Sequence, residues 1–228
     1  MVGLRPSLWR SQLNAGTLGR PMSSIDLELR GVTWQGPSVD DESLLPDLPP
    51  ELASLLAQIN GFVLFGGCLH VRGAVADPRW HSLRRAWRDY EFAIPTLYRL
   101  PDDSGVPFAQ DCVGDQFLLQ GGLVWTLSAE TGQIAPTSKT LFEFLTAAST
   151  DPEGMLQPAP LLQFQRDGGH LVPGHLLHVY PPFCTKESAS GVSIKDVPCD
   201  ELIRFHADFA RQIAGVAEGG HVRVTIGE

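Results

Sequence analysis

Between Phe108 and Leu127 the chain runs through three short apolar stretches, Phe108 to Cys112, Gln116 to Leu119 and Leu123 to Leu127, parted only by Gly114-Asp115 and Gly121-Gly122. Connections this short can only fold a strand back beside its predecessor, because a parallel neighbour needs a crossover of about a dozen residues or more. The stretch therefore reads as an antiparallel meander, and the rest of the fold has to be assembled around it.

Upstream, Leu48-Pro49-Pro50-Glu51 opens a segment whose Leu52, Leu55, Leu56 and Ile59 keep helical spacing, with proline suited to a first turn and Glu51 favouring the positive end of the helix dipole. Asn60-Gly61 ends it, since glycine supplies the left-handed residue that closes a helix. Phe62 to Phe65 then reads as a buried strand, Gly66-Gly67 as a turn, and Cys68 to Val71 as the continuation of the sheet. Over Arg79 to Tyr90 the positions of Trp80, Leu83 and Trp87 predict one helix, with both tryptophans in the core and Arg84, Arg85 and Arg88 in water. Ser138 is the expected N-cap of a helix carrying Leu141, Phe142, Phe144 and Leu145.

After a Pro/Gly-rich break at Asp151 to Pro160 comes a further apolar pattern. It holds Leu161 to Phe164, a turn at Asp167-Gly168-Gly169, a strand at Leu176 to Tyr180, a helix over about Asp200 to Val216, and alternation from His221 to Glu228. The expected architecture is α+β, a curved antiparallel sheet flanked by helices, over residues 22–150, with a C-terminal β/α/β extension at 151–228 packed on the same domain.

With 228 residues, 43% hydrophobic and 19% charged, the chain has enough apolar material for a core without staples. Cys68, Cys112, Cys184 and Cys199 are scattered, outside any Cys-x-x-Cys register, and read as reduced thiols. No apolar run approaches the ~20 residues of a membrane span, and no cleavable signal pattern is found, so the expected location is the cytoplasm, away from any membrane. Residues 1–21 carry Arg5, Arg10 and Arg20 but no acid. They are expected to be a disordered leader or to reflect a misplaced start ahead of Met22, with a basic targeting segment as the competing reading.

The formal charge of −9 is unevenly spread. Residues 31–71 hold Asp40, Asp41, Glu42, Asp47 and Glu51 with no Lys or Arg, and residues 100–138 hold Asp102, Asp103, Asp111, Asp115 and Glu130, again with no base. Such fields argue against nucleic acid, which is bound through clustered Lys and Arg, and favour a cationic macromolecular partner.

Catalytic and metal-binding patterns are weak. The chain has no glycine-rich phosphate loop, no Gly-x-Ser-x-Gly elbow and no His-Glu-x-x-His. His170, His175, His178 and Cys184 are ligand types close in sequence, but His175 and His178 differ by an odd offset and cannot share one face of a regular strand. A Cys112–His70 nucleophilic pair is disfavoured by Asp111, which opposes thiolate formation. Asp40-Asp41 and Asp102-Asp103 read as solvated turns. No cofactor, metal or catalytic residue is expected.

The order of landmarks is what carries a resemblance. Leu48-Pro49, an apolar helix and Asn60-Gly61 are followed by Phe108-Ala109-x-Asp111-x-x-Gly114-Asp115-x-Phe117, Val124-Trp125, Glu130-x-Gly132 and Phe142-Glu143-Phe144-Leu145. Over roughly Ile25 to Thr150 this resembles the SUKH superfamily of bacterial toxin-immunity proteins and fungal cell-wall-synthesis regulators. The resemblance implies the α+β fold above, no enzymatic activity and a surface that binds a protein, in bacterial members a toxin and often a nuclease. The region before Leu48 lacks the first helix of many members, and the chain after about Asp151 exceeds a minimal domain. The expected function is an immunity protein that occludes a cognate basic toxin. Asp40, Asp41, Glu42, Asp47, Asp102, Asp103, Asp111 and Asp115 would steer the encounter, Trp34 and Trp125 would anchor it, and Glu143 would reach the rim. The alternative is a regulatory or scaffold module without a toxin partner.

Overall fold

The computed structural model describes residues 29–217 and 219–220. The expected leader over 1–21 and the expected last strand over 221–228 lie outside them.

The elements run β1 (Val32–Gln35), a 3-10 turn at Glu42–Asp47, α1 (Pro50–Gln58), β2 (Phe62–Leu64), β3 (Leu69–Val71), a 3-10 turn at Arg79–His81, α2 (Leu83–Arg88) and α3 (Ile94–Tyr98). The meander follows as β4 (Val106–Asp111), β5 (Gln116–Gln120), β6 (Leu123–Leu127) and β7 (Ile134–Lys139). Beyond it lie α4 (Leu141–Thr150), α5 (Pro152–Met155), α6 (Ala159–Arg166), β8 (His175–Tyr180), a 3-10 turn at Lys186–Ser190, β9 (Ser193–Pro198) and α7 (Cys199–Ile213).

Strands β1 to β7 form one antiparallel sheet in sequence order, open at both edges, and β8 and β9 form a separate hairpin. The protein is thus α+β, as the meander required. Side chains alternate between two faces. Phe62, Leu64, Leu69, Val71, Phe117, Leu119 and Val124 join α1 and α4 in one cluster, in which Phe117 stacks at 4.6 Å on Phe144. Leu118 and Leu127 point the other way, into a cluster with Ala86, Ile94, Leu176, Leu202 and Ile203.

The extension therefore reaches both clusters of the sheet, Leu176, Leu202 and Ile203 joining the second and Leu156, Leu161, Leu171, Leu177 and Val179 the first. It is tied there by Leu177 N–H donating to Cys112 O at 2.8 Å, and by α7, whose Leu202, Ile203, His206, Phe209 and Ala210 recur at helical spacing on its buried side. With both faces covered, all six residues of β4 are buried.

Two local expectations change and two details are added. The helix over 79–90 is split, because Ser82 accepts from Arg85 N–H and starts α2 afresh, leaving Trp80 and Trp87 half-buried. Ser138 belongs to β7, in left-handed conformation at φ 59°. The helix start falls instead at Thr140, whose N–H and hydroxyl both donate to Glu143 at 2.9 and 2.8 Å. Leu161 to Phe164 lies in α6. The expected strand and helix of the extension are β8 and α7, and strand β9 is an added exposed partner of β8, so the described part of the extension runs as helices, a hairpin and a helix.

Candidate functional site

Strand register decides which acids share a place. Gln35 pairs with Phe62, Phe62 with Val71, Val106 with Leu119 and Gln120 with Leu123. The segments at 36–41, 72–75, 102–105 and 120–123 consequently leave the sheet at one end, where α2 is fastened by Leu83 N–H to Gly73 O at 2.8 Å. Asp40, Asp41, Glu42, Asp102 and Asp103 belong to this end. Asp111, Asp115 and Glu130 belong to the opposite one.

Most of these acids have internal duties. Arg84 holds Asp41 through two hydrogen bonds at 2.5 and 2.9 Å, and this pairing keeps the Asp41 carboxyl below its usual range. Arg88 holds Asp47 at 2.5 Å, while Asp40 accepts from Ala76 N–H at 2.7 Å. Arg84 and Arg88, expected in water, are therefore counter-ions of the first acidic window, while Arg85 pairs elsewhere, with Asp200.

Asp111 is buried, and its Oδ1 accepts from the backbone N–H of Val113, Gly114 and Asp115 at 3.0, 2.9 and 3.0 Å. Gly114 takes φ 99° to make this turn, and Asp115 accepts from Ala129 N–H at 2.7 Å. Burial raises both carboxyls. The Asp-x-x-Gly-Asp landmark is thus a hairpin brace, with Asp111 buried and Asp115 half-buried. Glu42, Asp102 and Asp103 are exposed, and their carboxylates have no hydrogen-bond or ion-pair partner among the described residues, the Asp103 backbone carbonyl alone accepting from Gln120 Nε2 at 2.6 Å, and Glu143 is exposed at the start of α4.

The tryptophans also turn inward. Trp34 is half-buried against Trp80 at 5.0 Å and His81 at 4.8 Å, and the Trp125 indole N–H is buried without a partner among the described residues. By contrast Tyr90, between α2 and α3 and flanked by Asp89 and Glu91, is 93% exposed.

The second face of the sheet carries a buried polar chain that the sequence reading passed over. Arg72, 2% exposed, donates to Pro107 O at 2.8 Å, Gln110 Oε1 at 2.5 Å and Gln116 Oε1 at 2.7 Å, with no carboxylate among these partners. Burial lowers its guanidinium to about 10, which leaves it charged at neutral pH.

From Arg72 the polarity of the chain follows by elimination. Gln110 Oε1 accepts, so its Nε2 faces His70 Nδ1 at 3.5 Å. His70 Nε2 lies 2.8 Å from His81 Nδ1, and His81 Nε2 lies 3.0 Å from Asn60 O, which can only accept. His81 accordingly carries its proton on Nε2, and His70 donates from Nε2. Burial holds His81 down to about 4 and His70 well below its ordinary value, the latter helped by His81 and Arg72. Asn60 completes the network, its side chain donating to Pro37 O at 2.9 Å and accepting from Ala74 N–H at 2.7 Å. The detectable signal was polar residues in alternate register, His70 and Arg72 with Gln110 and Gln116, inside otherwise apolar strands.

The other chemical candidates do not assemble. Cys112 lies in the cluster under α1 and α4, its thiol raised well above its ordinary range by burial, whereas His70 is on the opposite face. His175 pairs with Asp196 at 3.0 Å, and the buried Nε2 of His178 has no partner. Among the described residues, no three His, Cys, Asp or Glu groups are placed to hold a metal ion, and no helix is long and apolar enough to cross a membrane.

Compared with known proteins, the chain matches no family model and no curated protein.

Proposed function

We propose that this is a non-catalytic binding protein of the immunity type, which occludes a basic protein toxin, of nuclease type, through the acidic end of its sheet. The observation that carries the reading is the set of exposed carboxylates with no internal partner there, Glu42, Asp102 and Asp103, together with the exposed Tyr90 on the loop leaving α2. Unpaired acids at one end accelerate encounter with a cationic surface, and an exposed tyrosine is a common anchor of binding energy.

Coverage of the sheet narrows the options. The extension and the helices occupy its two faces, and the edges are poor templates for an added strand. Strand β7 contains Pro136, and irregularities interrupt the pairing of β1 with β2 and of β6 with β7. The ends of the sheet are what remains. The landmark order resembling SUKH proteins supports the same reading, with Tyr90 taking the anchor role first assigned to Trp34 and Trp125.

The test is capture of the partner from the native cell, followed by association kinetics against ionic strength for the wild type, for Glu42→Lys with Asp102→Lys and Asp103→Lys, and for Tyr90→Ala. A basic partner is expected, with an association rate that falls with salt, falls about tenfold in the charge-reversal variant, and a faster dissociation in Tyr90→Ala. Salt-independent association, or a charge-reversal variant that binds as the wild type does, rejects the reading.

A further inference from the structure

Between the second face of strands β1 to β3 and the loop His170 to Leu176 lies a cavity of about 140 Å³. Its walls include Trp34, Trp80, His70 and Gln110 from the domain and His170 and His175 from the extension. The site is therefore built jointly by the sheet and the extension.

Size limits what enters. A cavity of about 150 Å³ holds a single benzene ring, whereas sites for drug-sized ligands are about 300 Å³ or more. Shape and surface favour a flat apolar body, since two indoles are joined by Val63, Leu171 and Leu176 along the wall.

Charge selects further. Paired tryptophans ordinarily favour a cation, but none of the lining residues is acidic. The nearby carboxylate of Asp196 is taken by His175 Nδ1 at 3.0 Å. Behind Gln110 stands the buried Arg72 guanidinium, whose side-chain partners are the neutral oxygens of Pro107, Gln110 and Gln116. A cation entering this pocket meets a positive charge in a low-dielectric wall and finds no carboxylate. An anion finds that same charge favourable.

Donors are available for it. The indole N–H groups of Trp34 and Trp80 and the His170 ring have no hydrogen-bond partner among the described residues, whereas His175 already gives its Nδ1–H to Asp196. His170 is exposed and His175 half-buried, so both stand towards the solvent side, while His70 and Gln110 lie deep.

We propose that this cavity is a binding site for a small aromatic carboxylate of one ring, with the ring against Trp34 and Trp80 and the carboxylate received at the His170 side. The site is separate from the acidic end of the sheet and does not depend on its role.

The probes are benzoate, acetate and benzylammonium, followed by tryptophan fluorescence and by ligand-observed NMR on the full chain. Saturable binding of benzoate is expected, with acetate and benzylammonium at least tenfold weaker. Val63→Phe, which fills the cavity, should abolish benzoate binding, and the exposed change His170→Ala should weaken it about tenfold, the loss of one charge-assisted hydrogen bond. Absence of saturation, benzylammonium binding as well as benzoate, or undiminished binding in the histidine variant overturns the proposal. The last two readouts decide it even if Val63→Phe does not fold.

Discussion

Arg85 on α2 grips Asp200, the second residue of α7, with both terminal guanidinium nitrogens, at 2.6 and 2.5 Å. The arginine side chain is only 10% exposed and also lies 3.8 Å over the ring of Phe92. Its neighbours Arg84 and Arg88 take Asp41 and Asp47. One turn and a half of helix thus staples the loop before α1 to one side and the extension to the other.

Removing Asp200 leaves Arg85 charged, largely buried and without its counter-ion. Asp200→Ala should lower stability by roughly 1 to 3 kcal/mol, measured by urea unfolding. The double change Arg85→Leu with Asp200→Ala should cost less than the sum of the single changes, because the stranded charge is gone.

Asp111 is needed as an acceptor, while burial penalises its charge. Asn keeps an acceptor oxygen for the three backbone N–H groups and removes the charge. At pH 7, Asp111→Asn should therefore retain the wild-type melting temperature or exceed it, while Asp111→Ala should lose about 2 to 4 kcal/mol by leaving those groups unpaired. Thermal unfolding of the two variants distinguishes them.

His206 is held down to about 4 by burial, with His178 adding to the effect, against an ordinary value of 6.5. The unfolded chain takes up its proton first as pH falls, so the neutral folded form is favoured fully above 6.5 and progressively less down to 4. Over that window the histidine should withdraw about 3 kcal/mol of stability. His81 acts in the same direction, whereas the raised carboxyls of Asp111 and Asp115 act in the opposite one. The clean measurement is the difference between the wild type and His206→Leu: the variant should lose less stability between pH 7 and pH 4.5 in urea titrations.

Phe144 on α4 touches both Phe117 at 4.6 Å and Phe108 at 6.0 Å and is fully buried. Phe144→Ala should cost about 3 to 5 kcal/mol, since the cavity it leaves is walled by a rigid sheet. Equilibrium unfolding of this variant measures how firmly α4 and the sheet are coupled.

Local spacing determined much of this protein. The glycine-parted runs between Phe108 and Leu127 became β4 to β6, the leucines after Pro50 became α1, and the apolar pattern from Leu202 to Phe209 became α7, because burial repeats with the geometry of each element, while Val216 at its expected end is exposed beyond the helix. Strands β1, β7 and β9 escaped notice, β1 because it is only four residues long and largely exposed, β7 and β9 because Ile134–Lys139 and Ser193–Pro198 show no apolar alternation. Tertiary structure alone decided what each charged or polar residue does. Asp102 and Asp111 are both aspartates beside turns, yet one faces water and the other braces a hairpin. Arg84 meets its acid 43 positions away and Arg85 meets its own 115 positions away. Such pairings depend on which strand ends converge and where the extension packs, and charge carries no periodic signature by which neighbours in sequence could announce a distant partner.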